Sequence, residues 1–409
     1  MTPAERARLL DYVERHRDEQ RDFLAALVRV ASDNPPGDCA PHARRAASLL
    51  RDMGFAVEEH PVPADLVAAH GMVSVTNLVV RRSFGPGPVL ALNAHGDVVP
   101  PGAGWTADPY GAEIRDGAMY GRGVAVSKSD FATYAFALRA AEACGAGLGG
   151  TVELHFTYDE EAGGLLGPHW LLANGISRPD YAIAAGFSYS VVIAHNGCLH
   201  LEVRIDGRSA HAALPERGSD ALEAAAHLLT ALYRLREGYA AIRSRVPGIA
   251  HPTLVVGLIS GGINTNVVPD RVTLRLDRRI IPEENPDEVE RILVAQIEQA
   301  AAAPGITIAV RRILLAHPFL PRPGQERLVS LIQQHGRAIL GAEIPAEGVP
   351  LFTDARHYSA AGVPTVLYGA GPRTLAEAHG HAADERLMLD DLRKATEIVA
   401  LTIADLLAP

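Results

Sequence analysis

Cysteine is scarce in this chain: its 409 residues include three, Cys39, Cys144 and Cys198. An odd number at wide spacing supplies no disulfide framework and no zinc knot, so all three are expected as buried or half-buried thiols. A basic surplus is also missing. Lys and Arg total 38 against 48 Asp and Glu, and the net charge of −10 disfavours nonspecific binding to nucleic acid. No run approaches the ~20 apolar residues that a membrane span needs. The opening Met1-Thr2-Pro3-Ala4-Glu5-Arg6 has no basic segment leading into an apolar one, so no secretory signal is read and a cytoplasmic location is expected. Low-complexity segments and internal repeats do not stand out either. What remains is an ordinary globular composition, 48% hydrophobic and 21% charged, in a chain long enough for two or three domains.

Apolar residues recur at helical spacing from Glu5 to Val30, as Leu9, Leu10, Val13, then Phe23, Leu24, Leu27 and Val28. Asn34-Pro35-Pro36-Gly37-Asp38 breaks the pattern, and a helix is expected over 41–53. Short β-rich runs follow at 55–58, 72–80, 89–93, 152–157 and 181–184, with helical stretches between several of them. This alternation predicts an α/β layer with a mainly parallel central sheet. From about His200 to Leu314 the order becomes strand 201–205, helix 219–236, strands 253–259 and 271–278, helix 286–302 and strand 306–310. That βαββαβ succession is the ferredoxin-like split unit. The α/β pattern resumes with a helix at Gln325, a strand at 365–368 and a last helix over 389–407. The expected organisation is therefore one discontinuous α/β domain, residues 1–196 and 315–409, interrupted by an insert over 197–314.

Four stretches carry chemistry. In Leu92-Asn93-Ala94-His95-Gly96-Asp97-Val98-Val99-Pro100 an apolar strand runs into a His-x-Asp turn, at the strand end where open α/β sheets hold ligands. His95 can bind a metal and Asp97 can accept its other N–H and fix the tautomer, although a plain exposed turn would read the same way. Thr157-Tyr158-Asp159-Glu160-Glu161-Ala162-Gly163-Gly164 sets three carboxylates in a row after another apolar strand. They repel one another unless a cation is near; one can hold a metal while its neighbour takes a proton from water. A solvated acidic loop capping a helix is the competing reading. The third stretch, Asp116 to Asp130 with Tyr120-Gly121-Arg122-Gly123 inside it, has glycines that suit close backbone approach or an ordinary tight turn. The fourth, Glu377-Ala378-His379-Gly380-His381-Ala382-Ala383-Asp384-Glu385, offers two histidines in a short loop, as ligands or as surface residues.

Together, and in this order, these stretches resemble the co-catalytic metallo-amidohydrolases of the M20 family, the acetylornithine deacetylase and succinyl-diaminopimelate desuccinylase group. Trp105 with Pro109-Tyr110, Gly207-Arg208-Ser209-Ala210-His211, Asn264-Thr265-Asn266-Val267-Val268-Pro269-Asp270, Asp277-Arg278-Arg279, Thr353-Asp354-Ala355-Arg356 and Gly369-Ala370-Gly371-Pro372 extend the match over nearly the whole chain. The resemblance implies a zinc-exopeptidase-like catalytic domain with an inserted lid and dimerisation domain. It implies that His95 binds one of two ions with Asp97 behind it, that Glu160 is the general base, and that Glu161 and His381 bind the other ion. His379 is the competing position for that last histidine. It also makes His211 the group that reaches the developing oxyanion across a dimer interface, and Asn266 and Arg279 the groups that bind a substrate carboxylate.

The chain departs from that pattern at two points. Val126 stands where the bridging aspartate belongs, with Asp130 four residues further on, and Gly186 followed by Phe187 stands where the remaining carboxylate belongs. Two divalent ions ~3.5–4 Å apart need bridging and terminal anions to coexist. The expectation is therefore one divalent metal, zinc above others, held by His95, Glu161 and His381, or none. The expected activity is hydrolysis of an amide bond in a small carboxylate-bearing substrate such as an N-acyl amino acid, by a homodimer. Two alternatives stay open at this level: a metal-independent proton-transfer enzyme (cyclase, isomerase or lyase) and an inactive metabolite-binding relative.

Overall fold

The structure is a computed structural model that describes residues 1–408. Thr2 opens the first helix, Pro3–Arg15. Its hydroxyl accepts the Glu5 N–H at 3.3 Å, and the Glu5 carboxylate accepts the Thr2 N–H at 2.6 Å. The helical pattern over 5–30 resolves into two helices, because a second one, Arg17–Val28, begins after a break at His16. The break falls where the apolar stripe lapses into Glu14-Arg15-His16-Arg17-Asp18-Glu19. Buried residues of these helices, including Leu9, Leu24 and Leu27, join one core with Phe131 and Phe136 of the Lys128–Ala143 helix and Ile398 and Leu401 of the Leu389–Leu406 helix.

The central sheet has eight strands, in the order Val57–Pro61, Thr76–Ser83, Thr151–Thr157, Val89–His95, Tyr181–Ala184, Thr365–Leu367, Val191–His195 and Ala346–Val349. Its middle is parallel: Thr151–Thr157, Val89–His95, Tyr181–Ala184 and Thr365–Leu367 all run the same way. Antiparallel neighbours flank them. Tyr181–Ala184 and Thr365–Leu367 read as apolar runs, as strands covered on both faces do, whereas Thr151–Thr157 carries Glu153 and His155, which bond each other. A separate three-stranded sheet joins Glu113–Arg115 and Ala118–Tyr120 to Arg386–Met388.

The chain divides into two compact units, one of residues 1–193, 321–347 and from 353 onward, the other of 194–320 and 348–352. The second unit runs strand Gly197–Asp206, helix Ala221–Tyr239, strands Thr253–Gly261 and Arg271–Ile280, helix Pro286–Ala300 and strand Thr307–Ala316, the βαββαβ order. Its sheet is antiparallel, with Thr253–Gly261 at one edge and Gly197–Asp206 inside. Period-two alternation sends Leu199, Leu201, Val203 and Ile205 into a core with Leu228, Leu232, Leu293 and Ile297 of the two helices. Cys198, His200, Glu202 and Arg204 belong to the opposite face. Among the described residues, no helix is long and apolar enough to cross a membrane.

Candidate active site

Strand register brings the two motif turns together. His95 ends the Val89–His95 strand and pairs with Thr157, the last residue of the parallel Thr151–Thr157 strand. Both chains then leave the sheet at the same end, and Gly96 N–H donates to Thr157 O at 2.8 Å. Glu160–Ala162 forms a short 3₁₀ turn there. The buried Asp97 carboxylate accepts the N–H groups of Glu160 at 3.2 Å and Glu161 at 3.1 Å, and the Asn34 side-chain amide at 3.0 Å. Asp97 thus holds the turn that carries both glutamates.

The same residue orients His95. The ring Nδ1 lies 2.9 Å from the Asp97 carbonyl oxygen and 3.4 Å from its carboxylate, so Nδ1 carries the proton and Nε2 faces the acids. Nε2 stands 3.9 Å from Glu160 Oε2. Ligand atoms of His95, Glu160 and Glu161 all lie within 4.8 Å of one another. Glu161 Oε1 is 3.4 Å from His381 Nε2, while the His379 ring bonds its own loop at Ala383 O, 3.0 Å away. His381 is half-exposed and does not join the His95 set within that 4.8 Å limit. His379, His381 and Asp384 all hold positive φ (54°, 61° and 58°), the strained backbone that functional loops often keep.

The electrostatics are lopsided. Burial pushes the Glu160 carboxyl well above the ordinary range, and Glu161, Asp354 and Asp97 add to it against the pull of His95. Burial works against a charged His95, but Glu160, Asp97 and Glu161 reverse it and hold the imidazolium well above its usual range. Asp354, fully buried, is pushed up to about 7 by desolvation. His381 is raised by its hydrogen bond to Glu161. Carboxylates outnumber cations here, and the surplus adds to the rise at Glu160 and His95.

The two departures from the family pattern have different structural settings. Val126 lies next to the strand end: the neighbouring Ser127 hydroxyl accepts the His95 N–H and donates to the His95 carbonyl, both at 3.0 Å. The loop is pinned by Glu385, whose carboxylate accepts from Arg122 Nη1 (2.7 Å) and from the N–H groups of Gly123, Ala125 and Val126 (3.1, 3.0 and 3.3 Å). At Gly186 a side chain has no room. A Cβ built there would sit 2.7 Å from Leu367 Cβ and 2.8 Å from the Leu367 and Tyr368 backbone. Asp130 does not fill either vacancy. It is buried and accepts the N–H groups of Ala370, at 2.7 Å, and Gly186, tying the ends of two strands together. His95, Glu160 and Glu161 thus offer one imidazole and two adjacent glutamates in a single group, with His381 beside Glu161 outside it.

The remaining candidates belong to the second unit. His211 is exposed, its Nδ1 accepts the Ala213 N–H at 3.1 Å, and it bridges to Val267 next to Asn266, whose carbonyl accepts the Ala212 N–H at 3.0 Å. Arg279 is half-buried. Its Nε and Nη2 donate to the two oxygens of Asp277 at 3.0 and 3.1 Å, with the Phe352 ring 5.7 Å away. Sequence reading passed over Glu385 as an anchor, and also a second convergent group on this unit, Cys198, His200 and Asp277. For Glu385 the signal was present, an Asp384-Glu385 pair closing the histidine loop, but its partners lie some 260 residues earlier.

Residues 91–405 match the model of Peptidase family M20/M25/M40. The chain is 30% identical over 345 residues to an acetylornithine deacetylase of Photorhabdus laumondii, covering 81% of this chain and 82% of the relative. It is 28% identical over 331 residues to a succinyl-diaminopimelate desuccinylase of Nitratiruptor, covering 78% and 85%. Among solved structures, an M20 family metallo-carboxypeptidase of Sulfolobus solfataricus superposes with a TM-score of 0.76 at 16% identity, over 94% of this chain and 98% of that one, a likeness of fold.

Proposed function

We propose, for a chain that belongs to peptidase family M20/M25/M40, that it hydrolyses the amide bond of an N-acyl amino acid with Glu160 as general base and at most one divalent ion. The observation that carries this reading is the set His95, Glu160 and Glu161, gathered within 4.8 Å at the carboxyl end of the central strands. Zinc is the ion suited to it. His95, Glu161 and His381 would hold it, the two-histidine, one-carboxylate set of catalytic sites. Bound there, the ion supplies polarisation of the scissile carbonyl and a more acidic water.

The chain's own groups do the rest. Glu160 takes the proton from water as the oxygen bonds to the carbonyl carbon, then delivers it to the departing nitrogen as the C–N bond breaks. Asp97 keeps His95 in one tautomer and fixes the turn under Glu160. His211 accepts the Ala213 N–H through Nδ1, which leaves Nε2 to donate to the developing oxyanion across the dimer interface. Arg279 and Asn266 take the substrate's free carboxylate; Asp277 occupies two N–H groups of Arg279 and leaves Nη1 for the ligand. The names of the relatives, a deacetylase and a desuccinylase, support an acetyl- or succinyl-type acyl group. A homodimer through the insert is part of the proposal. The edge strand Thr253–Gly261 exposes Val255, Leu258 and Ile259, an apolar edge suited to a second copy, and a monomer at micromolar concentration by light scattering would remove that part.

The test is release of free acid from a panel of N-acetyl and N-succinyl amino acids, each also presented as its methyl ester. Hydrolysis of a free acid is expected, with kcat/KM falling roughly 10–100-fold for the ester and for Arg279→Ala, the value of a charge-assisted hydrogen-bond pair. Equal rates for acid and ester would contradict the carboxylate reading, and no amide cleavage across the panel would contradict the activity.

A further inference from the structure

Cys198, His200 and Asp277 form a second convergent set, made by strand geometry alone. Cys198 and His200 are two apart on the Gly197–Asp206 strand, so they share a face. On the adjacent antiparallel strand Asp277 pairs with His200 and Arg279 with Cys198. The four side chains make a square on the face opposite the apolar core. Cys198 is buried and forms no disulfide, while His200 and Asp277 are about a third exposed at 33% and 32%.

The distances separate two kinds of chemistry. Cys198 Sγ lies 3.1 Å from His200 Nε2, and Asp277 Oδ2 lies 3.2 Å from that same nitrogen. A nucleophilic relay needs the thiol and the carboxylate on opposite ring nitrogens. Here both meet Nε2, so the ring cannot pass a proton between them. Three lone-pair donors pointing at one volume is instead the arrangement of a ligand set. A tetrahedral ion with bonds of ~2.3 Å to sulfur and ~2.0–2.1 Å to nitrogen and oxygen separates its ligand atoms by about 3.3–3.6 Å. The observed separations are 3.1 Å from Sγ to Nε2, 3.2 Å from Nε2 to Asp277 Oδ2 and 3.7 Å from Sγ to the other oxygen, Oδ1, and one ligand atom of each residue lies within 4.8 Å of the others.

We propose that Cys198, His200 and Asp277 bind a zinc-class divalent ion, in a three-ligand site on the inserted unit whose fourth position opens to solvent. Mixed thiolate, imidazole and carboxylate donors suit zinc over magnesium or calcium, which take oxygen ligands. Binding forms a metal–sulfur bond as the Cys198 S–H proton leaves to solvent, so about one proton is released per ion. Asp277 serves both partners, since a carboxylate has lone pairs for the ion and for Arg279 together. Arg279 explains why the site is stable without metal. It balances the Asp277 charge, and with His200 it holds that carboxyl, which burial alone would raise, down to about 2.

Cobalt(II) titration of the metal-stripped full chain tests this without reference to activity. A sulfur-to-cobalt charge-transfer absorption is expected in the parent and in His95→Ala, which removes the other site. It should vanish in Cys198→Ser and weaken sharply in His200→Asn, whose partly exposed position protects the fold if the cysteine variant fails to fold. Loss of an outer-shell partner alone costs roughly 10–100-fold in metal affinity, so zinc binding by this site should weaken by at least that much in either ligand variant. Cys39 and Cys144 are buried away from any such set among the described residues, so a band surviving both substitutions overturns the proposal. Absence of a band in the parent does so as well.

Discussion

The two donor clusters of this chain are near opposites in charge. Around His95 stand Glu160, Glu161, Asp97 and Asp354, gathered at the strand ends, and burial raises the Glu160 and Asp354 carboxyls above their usual range. Around His200 stand a thiol and a single carboxylate, and Arg279 already neutralises the latter. The first cluster therefore calls for a positive charge, whereas the second merely accepts one. Strongly perturbed buried acids cluster at functional sites, where burial and like charges shift them together. A balanced cluster on a half-exposed sheet face can persist with or without its ion.

That contrast can be broken by substitution. The largest effect is expected at Glu160. Glu160→Gln keeps size and hydrogen bonding but removes basicity, so kcat should fall by ~10²–10⁴ while substrate affinity stays near the parent's. Steady-state kinetics with an equilibrium binding measurement checks both halves; near-parental turnover would pass the role to another base, with His95 and His381 the next to examine. A smaller effect is expected at Gly186. Gly186→Ala places a methyl against Leu367 Cβ and the Leu367–Tyr368 backbone, so denaturant unfolding should show a loss of about 1–3 kcal/mol, the usual result of overpacking. No loss would mean that the strands can part and that the missing carboxylate ligand is restorable. By the same reasoning the pair Val126→Asp with Gly186→Glu, which charge alone would favour for zinc affinity, meets a backbone obstacle at its second position. Val126→Asp by itself is the cleaner gain-of-affinity variant.

Much of this was readable in the sequence, and the remainder divides by physical cause. The strand at 181–184 and the alternation of the insert were plain, because apolar runs and period-two patterns report burial directly. Val191–His195 and Ala346–Val349 were missed: only Asn196 separates the first from the next strand, and the second carries Glu347 and Gly348 in its middle. The helix break at His16 was visible only as a lapse in the apolar stripe. In the site, His95, Glu160 and Glu161 announced themselves by standing at strand ends. Their convergence needed the His95–Thr157 register, which no local signal encodes. Asp277 is the sharper case. It lies 77 residues from His200, and only sheet pairing makes the two neighbours. The crowding at Gly186 was likewise invisible, since glycine in a sequence says nothing of what presses on it.

On the proposed function the α/β unit holds no more than one ion. Elemental analysis of Cys198→Ser, purified without chelator, isolates that unit from the second cluster, and turnover on an N-acyl amino acid is followed before and after chelation. At most one ion per chain is expected in this variant, in keeping with the valine at position 126 and the closed backbone at Gly186. Two tightly bound ions per chain in Cys198→Ser would contradict it.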